Sequence, residues 1–203
     1  EAQGRGDRIS PRLRAGWVDA ALALGEWEHA LALTDSAALQ ADLHQKLGHP
    51  EQELALRRTL AVPEAGTEPL FEYVGCLERL GRGEEAVEAC SARWLAAPAD
   101  IPIARRAIEL ASAHASPRQE ALLSGYVQGW PEDPWGLWRR GELRRQKGDL
   151  DGAASDDESL VRLEGVGSGD PEFLHMKADA LHRLGRPEEE AVQLEAVLQI
   201  SPE

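Results

Sequence analysis

The chain has 203 residues, 42% hydrophobic and 29% charged, with a net charge of −14 and a pI near 4.9. A balance this acidic provides no basic footprint for nucleic acid and implies solubility and repulsion from anionic surfaces. No run of about 18 apolar residues offers a transmembrane span, and arginine outnumbers lysine by 19 to 3 with no asparagine at all, a composition read as GC-rich bacterial coding.

In chain order, residues 1–10 are polar, contain Gly4 and Gly6, and read as a flexible segment ahead of a helical domain over 11–203. Arg5-Gly6-Asp7 within it is the tripeptide integrins read, a match short enough to arise by chance. The chain opens at Glu1 rather than Met and shows no signal peptide, so a processed form or a fragment is expected, and bacterial cytoplasm and periplasm both stay open. Leu13–Leu24 reads as a first helix with Trp17 on its apolar face, and Trp27–Leu33 as a short second one. Thr34-Asp35-Ser36 supplies caps for a helix running to Leu47, and Pro50–Ala61 follows. After a loop at Val62–Thr67 come Pro69–Leu80 with Glu84–Ala96, then Ile101–Ala113 with Pro117–Gly129. From Pro134, with Asp133 before it, the next helix runs to a tight turn at Lys147-Gly148-Asp149. Asp149 caps Leu150–Leu163, a Gly-rich linker spans Glu164–Asp170, and Pro171–Leu184 with Pro187–Ile200 closes the series. No strand pattern emerges.

The punctuation between these helices repeats. Leu-Gly stands at Leu24-Gly25, Leu47-Gly48, Leu80-Gly81 and Leu184-Gly185; Lys147-Gly148 and a degenerate copy around His114 fill the gaps. From Gly81 to His114 is 33 residues and from His114 to Gly148 is 34, with Pro98, Pro131 and Pro202 each 17 residues past a turn. Gly25 to Gly48 is only 23 residues, so either one helix there is short or a piece of the repeat is missing. Small residues recur inside first helices at Ala41, Ala107, Gly141 and Ala178, and early in second helices at Ala30, Ala86 and Ala153, where another helix can approach closely.

This period and content resemble the tetratricopeptide repeat (TPR) family. The resemblance implies an all-α, right-handed superhelical solenoid of about five to six antiparallel helix pairs. It also implies a concave face lined by the first helix of each pair. Registering those helices places Glu68, Phe71, Gly75 and Glu78 there, then Ile101, Ala104, Arg105 and Ile108. Trp135, Trp138, Arg139, Glu142 and Arg145 follow, and then Glu172, His175, Asp179 and His182. Of these, Phe71, Arg105, Trp135, Trp138, Arg139, Glu142, Arg145, His175, Asp179 and His182 are the expected partner-binding set. Trp and Arg supply large desolvated area and forked hydrogen bonding at hot spots, which suits an acidic or carboxylate-bearing peptide; the alternative is that the tryptophans pack between repeats and the arginines pair with local glutamates. The Lys/Asn carboxylate clamp of chaperone-binding TPR domains is not expected, because asparagine is absent and Lys46, Lys147 and Lys177 are scattered.

Other patterns carry less. His175, Asp179 and His182 share a helix face at i, i+4 and i+7 but lack a fourth zinc ligand. Gly165–Gly169 has neither the following Lys-Ser/Thr nor the preceding strand of a phosphate loop. Asp156-Asp157-Glu158 reads as a solvated face. Cys76 and Cys90 flank the Gly81 turn; a disulfide is geometrically possible there, and two buried free thiols acting as small core residues are the expected reading. No cofactor is expected, and no Ser/His/Asp or Cys/His context supports catalysis. The expected function is therefore a non-catalytic scaffold, an accessory subunit of a larger bacterial assembly; the alternative is a targeting or regulatory arm of an enzyme whose catalytic domain lies outside these residues. End-to-end self-association is a further expectation from Leu194, Val197, Leu198 and Ile200, which no following repeat covers.

Overall fold

Left-handed turns set the architecture. Gly25, Gly48, Gly81, Gly148 and Gly185 take φ values of 74°, 72°, 71°, 83° and 70°, a region that costs glycine nothing because it has no Cβ. At each, two N–H groups fold back onto the preceding helix. The Gly81 N–H donates to the Glu78 carbonyl at 2.9 Å and that of Arg82 to Leu77 at 2.9 Å, which satisfies carbonyls the helix end would leave open. The sixth turn repeats these bonds around Ala115, whose N–H donates to Ser112 at 3.2 Å while that of Ser116 donates to Ala111 at 2.8 Å. Ala115 sits at φ 49° in the glycine slot, so the turn is centred there and not at His114.

The computed structural model describes residues 10–163 and 170–200. Arg5-Gly6-Asp7, the Gly165–Gly169 linker and Pro202 lie outside them, as does the N-terminal segment except Ser10, which caps the first helix. The chain divides into two compact units, Glu1–Ala97 and Pro98–Glu203. The first holds α1 (Pro11–Leu24), α2 (Trp27–Leu33), α3 (Ala37–Leu47), α4 (Pro50–Leu60), α5 (Glu68–Arg79) and α6 (Gly83–Ala96), with a 3₁₀ turn at Pro63–Ala65. The second holds α7 (Ile101–Ala113), α8 (Gln119–Gly129), α9 (Pro134–Gln146), α10 (Leu150–Arg162), α11 (Pro171–Arg183) and α12 (Pro187–Ile200). Among the described residues every helix of a unit packs on the next, giving three helix pairs in each. The 7-residue α2 accounts for the short Gly25–Gly48 spacing.

Caps and prolines begin the helices where the sequence puts them. The Asp133 carboxylate accepts from the Trp135 N–H at 3.0 Å ahead of Pro134, and Asp149 accepts from the Gly152 N–H at 3.0 Å. The recurrent small residues Ala30, Ala41, Ala86, Ala107, Gly141, Ala153 and Ala178 are all buried between helices. Gly136 is tighter still: a Cβ there would lie 2.6 Å from the Tyr126 ring, so α8 and α9 meet only because the side chain is missing. Cys76 and Cys90 are buried thiols and not a disulfide; burial, together with the Glu53 charge, pushes the Cys76 thiol up and keeps it protonated. Trp17 is about half exposed, and on the last helix Val197 is buried whereas Leu194, Leu198 and Ile200 are exposed.

Buried ion pairs tie the pairs together, and two of them reverse a reading of the sequence. Asp156 and Asp157 are 2% and 1% exposed, not a solvated face. Arg140 and Arg144 of α9 hold Asp156 at 2.6 and 2.8 Å. Asp157 is held by Arg145 of α9 at 2.7 Å and Arg183 of α11 at 2.9 Å. In the first unit the equivalent position, nine residues past its turn glycine, is Arg57, with the charges exchanged. Arg57 of α4 is 6% exposed and bridges Asp42 of α3 at 2.6 Å to Glu72 of α5. Burial disfavours its charge, but the hydrogen bond to Asp42 and the carboxylates of Glu72, Asp42 and Glu53 outweigh this and raise its pKa. Each network joins one second helix to the first helices on both sides of it.

Candidate functional site

A recess on the second unit gathers much of the expected set. Trp135 and Trp138 lie one turn apart on α9; Glu172, His175, Met176 and Asp179 lie on α11, and together the six line a cavity of about 330 Å³. A second hollow of about 300 Å³ shares Trp135, Glu172 and Met176 with it and adds Arg105, Glu132, Asp133, Pro134 and Asp170. The floor is rigid. Trp138 and Met176 pack on the buried cluster of Val127, Leu137, Leu160, Phe173 and Ala180. The Trp138 indole nitrogen is buried with no hydrogen-bond partner among the described residues, an arrangement that costs free energy and fixes the ring by packing alone.

Trp135 is fixed by a polar network. The wholly buried Tyr126 donates its hydroxyl proton to Asp133, and its ring meets Trp135 edge-on at 5.2 Å. Arg105 donates to the Tyr126 hydroxyl at 2.9 Å and to both Asp133 oxygens at 2.9 and 3.0 Å, with its guanidinium 5.0 Å from the centre of the Trp135 ring. Burial, then the hydrogen bond to Asp133, pushes the Tyr126 phenol up to about 12. Arg105 is raised as well, because its bonds to Tyr126 and Asp133 outweigh the cost of burial.

The expected arginines are largely taken up inside the protein. Arg105 serves Asp133, Arg139 lies 3.4 Å from Glu142 and 5.8 Å from the Trp138 ring centre, and Arg145 clamps Asp157. Desolvation and the neighbouring Arg183 hold the Arg145 guanidinium below its ordinary value. His182 contacts Glu190 at 3.1 Å and Asp179 lies 3.6 Å from Arg183. Among the described residues no three His, Cys, Asp or Glu side chains come together as a metal would need. Phe71 lies in the first unit, where Arg57, Glu68, Glu72, Gly75 and Arg79 join it around a recess of about 420 Å³. Ala104 and Ile108 are wholly buried core and not surface. Met176 was not legible as a lining residue, since a lone methionine at helical spacing reads as core.

None of the described helices is long and apolar enough to cross a membrane. No protein-family model matches the chain, and neither does any curated protein. Solved structures do match in fold. A MamA RS-1 ArsTM double mutant superimposes with a TM-score of 0.52 at 16% identity, over 82% of this chain and 95% of that one. MamA 41-end from Desulfovibrio magneticus RS-1 gives 0.50 at 16% identity, over 82% and 96%. BtubC (BKLC) from P. vanneervenii gives 0.52 at 17% identity, over 92% and 87%. The fold is thus the all-α, paired-helix architecture of TPR-like solenoid proteins.

Proposed function

We propose that the chain is a non-catalytic protein-interaction scaffold, an accessory subunit that holds a segment of another protein on the α9/α11 face of its second unit. The observation that carries this reading is the preformed recess between Trp135, Trp138, Met176 and the exposed His175. A rigid aromatic floor ringed by polar groups is the arrangement that hot spots favour, because large apolar area is desolvated at little entropic cost. Arg139, 5.8 Å from the Trp138 ring centre and 3.4 Å from Glu142, is paired beside the recess and does not line it. Arg105 and Arg145 act behind it, by fixing Trp135 and by tying α9 to α10 and α11 through Asp157.

A tagged pull-down from the source organism tests the proposal with His175→Trp, which fills the recess from an exposed helix position and spares the core. A protein recovered by wild type and lost by the folded variant supports docking at this face. If both recover the same protein, the site lies elsewhere.

A further inference from the structure

We infer that the recess takes a cationic side chain, lysine or arginine, so that the partner segment is basic and not acidic. The inference rests on the docking face proposed above and names its chemistry. Among the residues lining the two joined hollows the carboxylates outnumber the cations: Glu132, Asp133, Asp170, Glu172 and Asp179 stand against Arg105, both of whose hydrogen bonds to a carboxylate go to Asp133. Glu132 and Glu172 are exposed and have no ion-pair partner among the described residues. Asp179 keeps about three-fifths of its side chain in solvent, with only a 3.6 Å approach from Arg183. The arginines that would have received an acidic segment are held by the protein's own acids. A recess floored by indoles and edged by the unpaired Glu172 and the loosely paired Asp179 attracts a cation twice, through the ring quadrupoles and through charge. The molecule uses the first attraction itself, where Arg105 and Arg139 lie against these same two tryptophans. The recess of about 330 Å³ is large enough for a guanidinium and its methylene stem, which Met176 can cover.

The test uses the whole chain and two probes, hexa-arginine and hexa-glutamate peptides, followed by the indole N–H signals of Trp135 and Trp138 in NMR titrations. A diffuse field from an acidic protein would also draw hexa-arginine, so the Glu172→Gln/Asp179→Asn variant is paired with a control of equal charge loss elsewhere, Glu64→Gln/Glu88→Gln. The expected result is that hexa-arginine shifts the indole signals, that hexa-glutamate does not, and that affinity falls about tenfold in the recess variant but little in the control. Equal weakening in both variants, or indole shifts produced by hexa-glutamate, would overturn the inference. A native partner still lost on His175→Trp would then leave the docking face intact and remove only its cationic chemistry.

Discussion

At the scale of single residues, Ala115 is the least comfortable position in the chain. It carries a Cβ in a left-handed turn that glycine occupies in the other five repeats. Ala115→Gly should therefore stabilise the protein, by about 1 kcal/mol after the entropy glycine loses on folding. A rise in the midpoint of chemical denaturation at unchanged slope would show it; no change would mean the backbone relaxes around the alanine. Tyr126 gives a second prediction. Its phenol is raised to about 12 by burial and Asp133, whereas the unfolded chain ionises it near 10. Between those values the unfolded state has lost a proton that the folded state keeps, so stability is full below about pH 10 and falls as pH rises toward 12. A tyrosinate absorbance titration of wild type against Tyr126→Phe isolates this group, and a phenolate appearing at the unfolded value would contradict the buried network. The turn at Ala115 was hidden in the sequence because alanine has no signature of a left-handed conformation, so the repeat was legible there only from its period.

At the scale of helices, close approach and buried charge decide the packing. Gly136→Ala drives a methyl into the Tyr126 ring at 2.6 Å and should destabilise by about 1–2 kcal/mol even after the gain in helix propensity. Gly141→Ala meets its nearest atom at 3.4 Å and should be close to neutral; equal effects would place α8 and α9 further apart than described. Removing the buried Asp157 leaves Arg145 and Arg183 facing each other without their counter-charge, and Asp157→Ala should cost about 3–5 kcal/mol. The exposed Glu85, paired with Arg82, should tolerate the same change with stability near wild type. Thermal unfolding of both variants separates the two. Helix starts and stops were legible because prolines, aspartates and glycines act locally. The burial of Asp156 and Asp157 was not, since a run of acids is ordinarily solvated and only the arginines arriving from α9 and α11 reverse that outcome.

At the scale of the whole molecule, two three-pair units give a TPR-like fold in which buried ion pairs of opposite sense, centred on Arg57 and Asp157, bind successive pairs within each unit. The stripe of Trp135, Trp138, His175 and Asp179 was readable from helical spacing, and the structure places these four around one recess. The fate of the arginines was not readable, because a side chain's partner belongs to a neighbouring helix whose register the sequence does not state. Those pairings are the ground for the inference of a basic partner segment in place of the acidic one the sequence suggests.

Docking of another protein on the α9/α11 face, as proposed, can be tested in the cell. The most direct measurement installs a photo-crosslinking benzoylphenylalanine at His175 in the recess and, separately, at the exposed Arg162 of α10, and irradiates cells of the source organism. Docking at this face predicts a covalent adduct with a second protein from position 175 and none from 162. An adduct from 162 with none from 175 would contradict it.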